Sequence, residues 1–181
     1  MPEQLRILVI EDNAADVLLI QEALNARGFN AKLQVISNGE HAQKALAAID
    51  SDVLPDLIIL DLNLPRISGM TLLKSIRSMP RFQASAVMVL TSSQAPKDRL
   101  EAERLGADEF VSKPLTLDDF LQTVGAGIQR AVSKRPRAQF KRGSAARLSR
   151  SARRREFRRY SRRLTGLVRA ARRAVFSNNF R

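Results

Sequence analysis

Short runs rich in aliphatic residues are the feature of this sequence that most restricts its fold. Four of them occur before residue 92: "LRILVI" (5–10), "AKLQVI" (31–36), "DLIILD" (56–61) and "SAVMVLT" (85–91). "DEFVSK" (108–113) adds a short fifth candidate strand. The run around residue 58 is continuously apolar, which is typical of a strand buried on both faces of a sheet. The sequence therefore predicts a set of short strands with helices covering the sheet on both sides.

The segments between these runs carry helix signals at their ends. Asn13 is predicted to cap the first helix, with Asp16 three positions on in a capping-box arrangement, and Gly28 is predicted to end it. Thr116 and Asp119 form a second capping box for the last helix. The predicted buried stripe of that helix is Leu117, Leu121, Val124 and Ile128.

Five strands alternating with five helices through short loops predict an α/β fold, a doubly wound (βα)5 parallel sheet. Right-handed crossovers leave few strand orders open. We expect the flavodoxin-like order 2-1-3-4-5, in which the chain changes direction of winding between strands one and three. Ligand sites in such sheets lie beyond the carboxyl ends of the strands at this point.

Polar side chains stand at those carboxyl ends. Glu11 and Asp12 follow the first strand, Asp61 ends the third, Thr91 ends the fourth and Lys113 ends the fifth. Oxygen ligands without His or Cys select a hard cation, so the three carboxylates predict a Mg²⁺ or Mn²⁺ site.

The same blocks resemble a known family. "ILVIEDN", "LIILDLNLP", "MVLTSS" and "DEFVSKPL" are similar to the signature blocks of bacterial response-regulator receiver domains, over roughly Leu5 to Ile128. "EDNAADVLLIQEAL" and "KPLTLDDFLQTV" further resemble small regulators that partner phytochrome-type and other sensor histidine kinases. The resemblance implies phosphorelay signal transduction, with a histidine kinase or a phosphotransfer protein as the donor.

The resemblance also implies roles for the residues at the strand ends. Asp61 is the expected phosphoacceptor, and Glu11, Asp12 and Asp61 are expected to hold Mg²⁺ together with the backbone carbonyl of Asn63. Lys113 is expected to pair first with the Asp61 carboxylate and then with a phosphoryl oxygen.

Signalling is expected to follow from the same resemblance. Thr91 donates a hydrogen bond to the phosphoryl group, and Phe110 moves into the space that Thr91 vacates, signalling by packing alone because it lacks a tyrosine hydroxyl. The Lys113–Pro114 peptide bond is expected to be cis. The output is expected to be protein–protein contact without a built-in enzyme, and a homodimer through strand 4, strand 5 and helix 5 stays open.

Other interpretations of these residues are weaker in combination. Glu11 and Asp12 alone could favour the positive end of the following helix, and Asp61 alone could be a turn residue. A dinucleotide fold would need G-x-G-x-x-G, which is absent, and acids after the first strand would repel a flavin phosphate. His41, the only histidine, is expected to be an exposed helix residue and no phosphodonor.

Charge divides the chain into two parts. Residues 1–133 carry 13 Lys and Arg against 17 Asp and Glu, whereas residues 134–181 carry 18 Lys and Arg against one Glu. These balances of −4 and +17 give the net charge of +13 and predict a domain at 1–132 followed by an Arg-rich tail at 133–181. The sequence shows no cysteine, signal peptide or membrane-spanning run, so we expect a cytoplasmic protein.

The basic tail has a helical pattern within it. Apolar residues recur at spacings of three and four from Phe157 to Ala174, interrupted by Gly166. Such a cationic helix suits nucleic acid, an anionic membrane or an acidic partner, and a nucleic-acid-binding regulator with this tail as effector is the alternative function. A disordered extension and a shifted reading frame in a GC-rich gene are also open.

Overall fold

The computed structural model describes residues 4–50 and 53–135, and within them five strands alternate with five helices. The strands are β1 (Leu5–Ile10), β2 (Ala31–Ile36), β3 (Leu57–Leu60), β4 (Ala86–Thr91) and β5 (Glu109–Ser112). The helices are α1 (Ala14–Ala26), α2 (Gly39–Ala48), α3 (Gly69–Ser78), α4 (Pro96–Arg104) and α5 (Leu117–Lys134). A short 3-10 turn, Pro80–Phe82, follows α3 and is not predicted by the sequence pattern.

The strands form one parallel sheet in the order β2-β1-β3-β4-β5, which confirms the predicted flavodoxin-like α/β fold. Alternate strand residues point to opposite faces and build two separate cores. Leu8, Ile58 and Val87 face a core that includes α2, α3 and α4. Ile7 and Ile59 face a second core that includes α1 and α5. The sheet is therefore covered on both faces, as its apolar strands require.

The cap of α5 is as predicted, but its buried stripe is shifted. Thr116 Oγ1 accepts a hydrogen bond from the Asp119 N–H at 3.2 Å. Leu117, which the predicted stripe included, is 56% exposed, whereas Phe120 is buried against the sheet with Val124 and Ile128. Phe120 lies one helical turn before Val124, so the residues at 120, 124, 128 and 131 form the packed face.

The carboxyl end of α5 is tied to the start of β5 by ion pairs. Asp108 lies between two guanidinium groups, Arg77 at 2.6 Å and Arg135 at 2.7 Å. The Arg77 side chain is 9% exposed and also donates to the carbonyl oxygens of Gly106 (2.8 Å) and Ser85 (2.9 Å). These contacts join α3, the start of β5 and the residue that follows α5. They lie at the amino ends of the strands, whereas the predicted site lies at the carboxyl ends.

The helix α5 continues two residues past the predicted domain boundary at residue 132. Ala131 is fully buried, so the core extends three residues beyond Ile128. The chain divides into two units, Met1–Ala138 and Gln139–Arg181. The second unit lies outside the described residues, as do the predictions of an amphipathic helix or disorder for the tail. No helix in the described ranges is long and apolar enough to cross a bilayer.

Candidate phosphoacceptor and metal site

Hydrogen bonds of the β-sheet fix the backbone of the site, because three of its residues directly follow a strand. The Glu11 N–H donates to the Ile36 carbonyl (3.0 Å), and the Asp61 N–H donates to the Ile10 carbonyl (3.0 Å). The Lys113 N–H donates to the Thr91 carbonyl at 2.8 Å. The sheet hydrogen bonding thus continues one residue beyond β1, β3 and β5, and it holds these side chains at one edge.

Three carboxylates converge at this edge as predicted. Oxygen atoms of Glu11, Asp12 and Asp61 all lie within 4.8 Å of one another. Glu11 and Asp61 are buried, while Asp12 is exposed. A set of three carboxylate oxygens with an open, exposed side fits a hard divalent cation, which keeps part of its water shell. The carbonyl of Asn63 stays a predicted fourth ligand.

Lys113 lies at the centre of the site. Its Nζ donates at 2.8 Å to Glu11 Oε2, to Asp61 Oδ2 and to Asp16 Oδ2. Burial alone would lower the pKa of Lys113, but its hydrogen bonds to Asp16, Asp61 and Glu11 outweigh burial and raise that pKa. The ammonium is therefore charged throughout the physiological range. The contact with Asp61 is the one that the resemblance implied.

Asp16 is the residue of this cluster that the sequence did not predict. The sequence pattern places it in a capping box with Asn13, but the Asn13 side chain accepts a hydrogen bond from the Ala15 N–H instead, at 3.0 Å. The Asp16 carboxylate contacts Lys113, which lies 97 residues away in the chain. The sequence signal that could have placed Asp16 in the cluster is its position four residues after Asp12, on the helix that starts beside the site.

Burial sets the protonation of Glu11. It raises the pKa of the Glu11 carboxyl from 4.5 to about 7, against the opposing effect of the Lys113 ammonium, while the charge of Asp61 adds to the rise. A raised pKa means that the folded state binds this proton more tightly than the unfolded state. The resulting stabilisation is complete below pH 4.5 and is lost as the pH rises through about 7.

This titration predicts a pH-dependent response to metal. A cation competes with the proton on Glu11, so the Mg²⁺-induced rise in melting temperature should grow between about pH 6 and about pH 8. Thermal melts with and without Mg²⁺ across this range check it. Glu11→Gln serves as the control, because it should flatten the pH dependence of the metal-free protein. An equal Mg²⁺ effect at both ends of the range would contradict this assignment.

Thr91 and Asn63 form the polar neighbour of the carboxylates. Thr91 is fully buried, and its hydroxyl oxygen accepts from Asn63 Nδ2 (3.4 Å) and from the Ser93 N–H (3.2 Å). The Asn63 N–H donates to Asp61 Oδ1 at 3.0 Å, so both oxygens of Asp61 are held. The Asp61 carboxylate is therefore fixed in orientation by one backbone donor and one ammonium.

Two further expectations concern Phe110 and the Lys113–Pro114 peptide bond, and the structure tests only the second. Phe110 is 5% exposed and lies under the Arg99 guanidinium, whose carbon is 4.7 Å from the ring centroid. Its contact with α4 is thus packing plus a cation–π interaction. The expected cis bond at Lys113–Pro114 is wrong, because no peptide bond among the described residues is cis. Trans is the lower-energy isomer, and Lys113 already reaches its carboxylates in that geometry.

Comparison with known proteins agrees with this geometry. The response regulator receiver domain family matches residues 7–125. Response regulator Rcp1 of Synechocystis sp. is 31% identical over 121 residues, covering 65% of this chain and 82% of Rcp1. The phosphate regulon transcriptional regulatory protein PhoB of Rhizobium meliloti is 32% identical over 126 residues, 70% of this chain. This chain covers only 53% of PhoB and 51% of the regulator KdpE of Mycobacterium tuberculosis, about half the length of each.

Solved structures show the same fold. The phosphorylated cyanobacterial phytochrome response regulator RcpA aligns with a TM-score of 0.66 at 30% identity, covering 73% of this chain and 96% of RcpA. The Mn²⁺-bound form of Rcp1 aligns with a TM-score of 0.61 at 31% identity, covering 67% of this chain and 89% of Rcp1. The acidic cluster, the strand order and the matched residues agree, and the chain belongs to the response regulator receiver domain family of bacterial two-component systems.

Proposed function

We propose that this protein accepts a phosphoryl group on Asp61 from a histidine kinase, in a reaction that depends on Mg²⁺ or Mn²⁺. The observation that carries the proposal is the buried Asp61 carboxylate, with Lys113 at 2.8 Å and the carboxylates of Glu11 and Asp12 within 4.8 Å. Receiver domains of phytochrome response regulators take phosphoryl groups from histidine kinases. The similarity to RcpA and Rcp1 favours a kinase of the phytochrome type, or a phosphotransfer protein, as the donor here.

The residues of the site suit phosphoryl transfer, which needs positioning and charge neutralisation more than covalent help. An Asp61 oxygen attacks the phosphorus atom and forms the P–O bond. The P–N bond breaks and its electron pair goes to the kinase imidazole, which leaves neutral because its other nitrogen carries a proton. Lys113 turns one N–H from Asp61 to a phosphoryl oxygen. A divalent cation held by Glu11, Asp12 and Asp61 would neutralise charge on the phosphoryl oxygens.

Thr91 is suited to bind the transferred group. Its hydroxyl oxygen accepts two hydrogen bonds and keeps its own hydrogen to donate, which a phosphoryl oxygen can receive. A phosphoryl group adds about two negative charges and three acceptor oxygens. Movement of Thr91 toward it would disturb the Ser93 contact at the start of the loop to α4, and with it the packing of Phe110 and Arg99.

The proposed output is protein–protein contact through the altered surface of β4, β5 and α5. The contact is made with a partner protein or with a second copy of this chain, and the protein has no enzymatic output of its own. The charge of +17 in residues 134–181 favours a second candidate, a regulator that binds nucleic acid through its tail. Sequence-specific, phosphorylation-dependent retention of the full chain on DNA would favour this second candidate. Retention that depends on the salt concentration alone, and not on DNA sequence or phosphorylation, would leave protein–protein contact as the proposed output.

Mass spectrometry tests the proposal directly. After incubation of the full chain with acetyl phosphate and Mg²⁺, we expect the intact mass to rise by one phosphoryl group. EDTA should prevent the rise, because the carboxylates then lack their cation. Peptide mapping should assign the added mass to Asp61. A chain that gains no phosphoryl mass in the presence of Mg²⁺ would overturn the proposed function.

A further inference from the structure

The Lys113 ammonium has more carboxylate partners than transfer to Asp61 requires. An ammonium group has three N–H donors, and all three are used, on Glu11, Asp16 and Asp61, each at 2.8 Å. The side chains are little exposed, at 9% for Lys113 and 17% for Asp16. Hydrogen bonds between charged groups in such a site are short and strong, and the Asp16 contact is as short as the other two.

The three partners differ in what else they can bind. Glu11 and Asp61 belong to the group of carboxylates that could hold a metal ion, whereas Asp16 does not. A bound divalent cation would draw on the charge of Glu11 and Asp61 and would repel the ammonium beside it. Asp16 would then be the one partner of Lys113, among its contacts in the described part of the chain, that is not shared with the metal.

We propose that Asp16 is a positioning residue for phosphoryl transfer, holding the Lys113 ammonium beside Asp61 while a divalent cation occupies Glu11, Asp12 and Asp61. The inference rests on the proposed function and adds a residue to it. Asp16 acts through Lys113 and lies outside the group of carboxylates that could hold the metal. Its carboxylate gives the ammonium a hydrogen-bond partner that the metal does not occupy.

A purely structural role explains the Asp16 contact less well. An acid in the first turn of a helix does favour the positive end of its dipole. The cap of α1 is already provided by Asn13, however, and Asp16 directs its carboxylate across to the loop after β5. Holding the Asp16 side chain in this orientation reduces its conformational freedom, and the hydrogen bond to the Lys113 ammonium explains why it is held there.

The test compares labelling rates of full-length variants with acetyl phosphate at saturating Mg²⁺. Asp16→Asn keeps the shape of the side chain and removes its charge, and we expect labelling to slow about tenfold, as for loss of a hydrogen bond between charged groups. Asp16→Glu keeps a carboxylate that can still reach Lys113 and should recover at least about a third of the wild-type rate. Glu22→Gln removes one charge from the exposed face of the same helix and should label at the wild-type rate.

Each result decides between roles. The Mn²⁺ dissociation constant of Asp16→Asn should stay within about threefold of wild type, because Asp16 is outside the metal group. Labelling of Asp16→Asn within twofold of wild type, equal slowing in Asp16→Asn and Asp16→Glu, or a Mn²⁺ affinity that falls as far as the rate would each overturn the inference. Failure of the wild-type chain to label would instead overturn the proposed function, so the two failures are distinguishable.

Discussion

Asp61→Asn is expected to abolish phosphorylation of the full chain by acetyl phosphate, slowing it by on the order of a thousandfold or more. The amide is a poor nucleophile and a weak ligand for a hard cation. The single amide oxygen can accept only one of the two hydrogen bonds that Asp61 accepts now, from the Asn63 N–H and from Lys113. Lys113 keeps Glu11 and Asp16 as partners, so the fold should survive. Intact-mass spectrometry measures the loss, and a melting curve verifies that the variant is folded.

Two comparisons make the Asp61 result specific. Asp118→Asn changes an exposed acid in the first turn of α5 and should leave labelling unchanged. In Asp61→Asn itself the pKa of Glu11 should fall, because the charge of Asp61 contributes to its rise. Labelling of Asp61→Asn to full stoichiometry would show that another residue accepts the phosphoryl group.

Gly69→Ala is expected to destabilise the protein by about 3 kcal/mol or more, at the upper end for overpacking. A Cβ atom at Gly69 would lie 2.0 Å from the Asp61 carbonyl oxygen and 2.7 Å from Leu62 Cα. Both are backbone atoms, so the clash cannot be relieved by a side-chain rotation. Moving the Asp61 backbone would also shift its carboxylate, and the Mg²⁺-induced rise in melting temperature should shrink.

Gly28→Ala provides the matched control for this substitution. Gly28 has φ +68°, and a Cβ atom there would meet no other atom within 4 Å. Alanine at this position therefore costs about 1 kcal/mol of backbone strain and no clash. Denaturant unfolding of both variants gives the comparison. A smaller loss for Gly69→Ala than for Gly28→Ala would mean that the start of α3 is not packed against Asp61 as described.

Much of the site could be predicted from the sequence, because parallel strands bring their carboxyl ends to one edge. Once the apolar runs set the strands, Glu11, Asp61 and Lys113 had to lie near one another, and Thr91 with them. The prediction needed only the strand order and the position of each residue just after or at the end of its strand. Local sequence carries that information.

The contacts that the sequence did not predict depend on the path of a side chain rather than on the position of its backbone. Asp16 was compatible with a local capping role, and only the structure shows that it meets Lys113. The exposure of Leu117 and the burial of Phe120 depend on the rotation of α5 about its axis, which two apolar residues three apart leave ambiguous.

The ion pairs of Asp108 determine where the chain can be cut for solution studies. Arg135 is the second cation on this carboxylate, and Asp108 also accepts the Val87 N–H at 2.8 Å. A fragment ending at the predicted boundary, residue 132, would lack Arg135 and leave Arg77 as the cation that pairs with the Asp108 side chain. The loss of this ion pair should lower the melting temperature of the fragment, and the change would be wrongly attributed to the basic tail. The shortest fragment suitable for measuring the tail's contribution to stability therefore ends after Arg135.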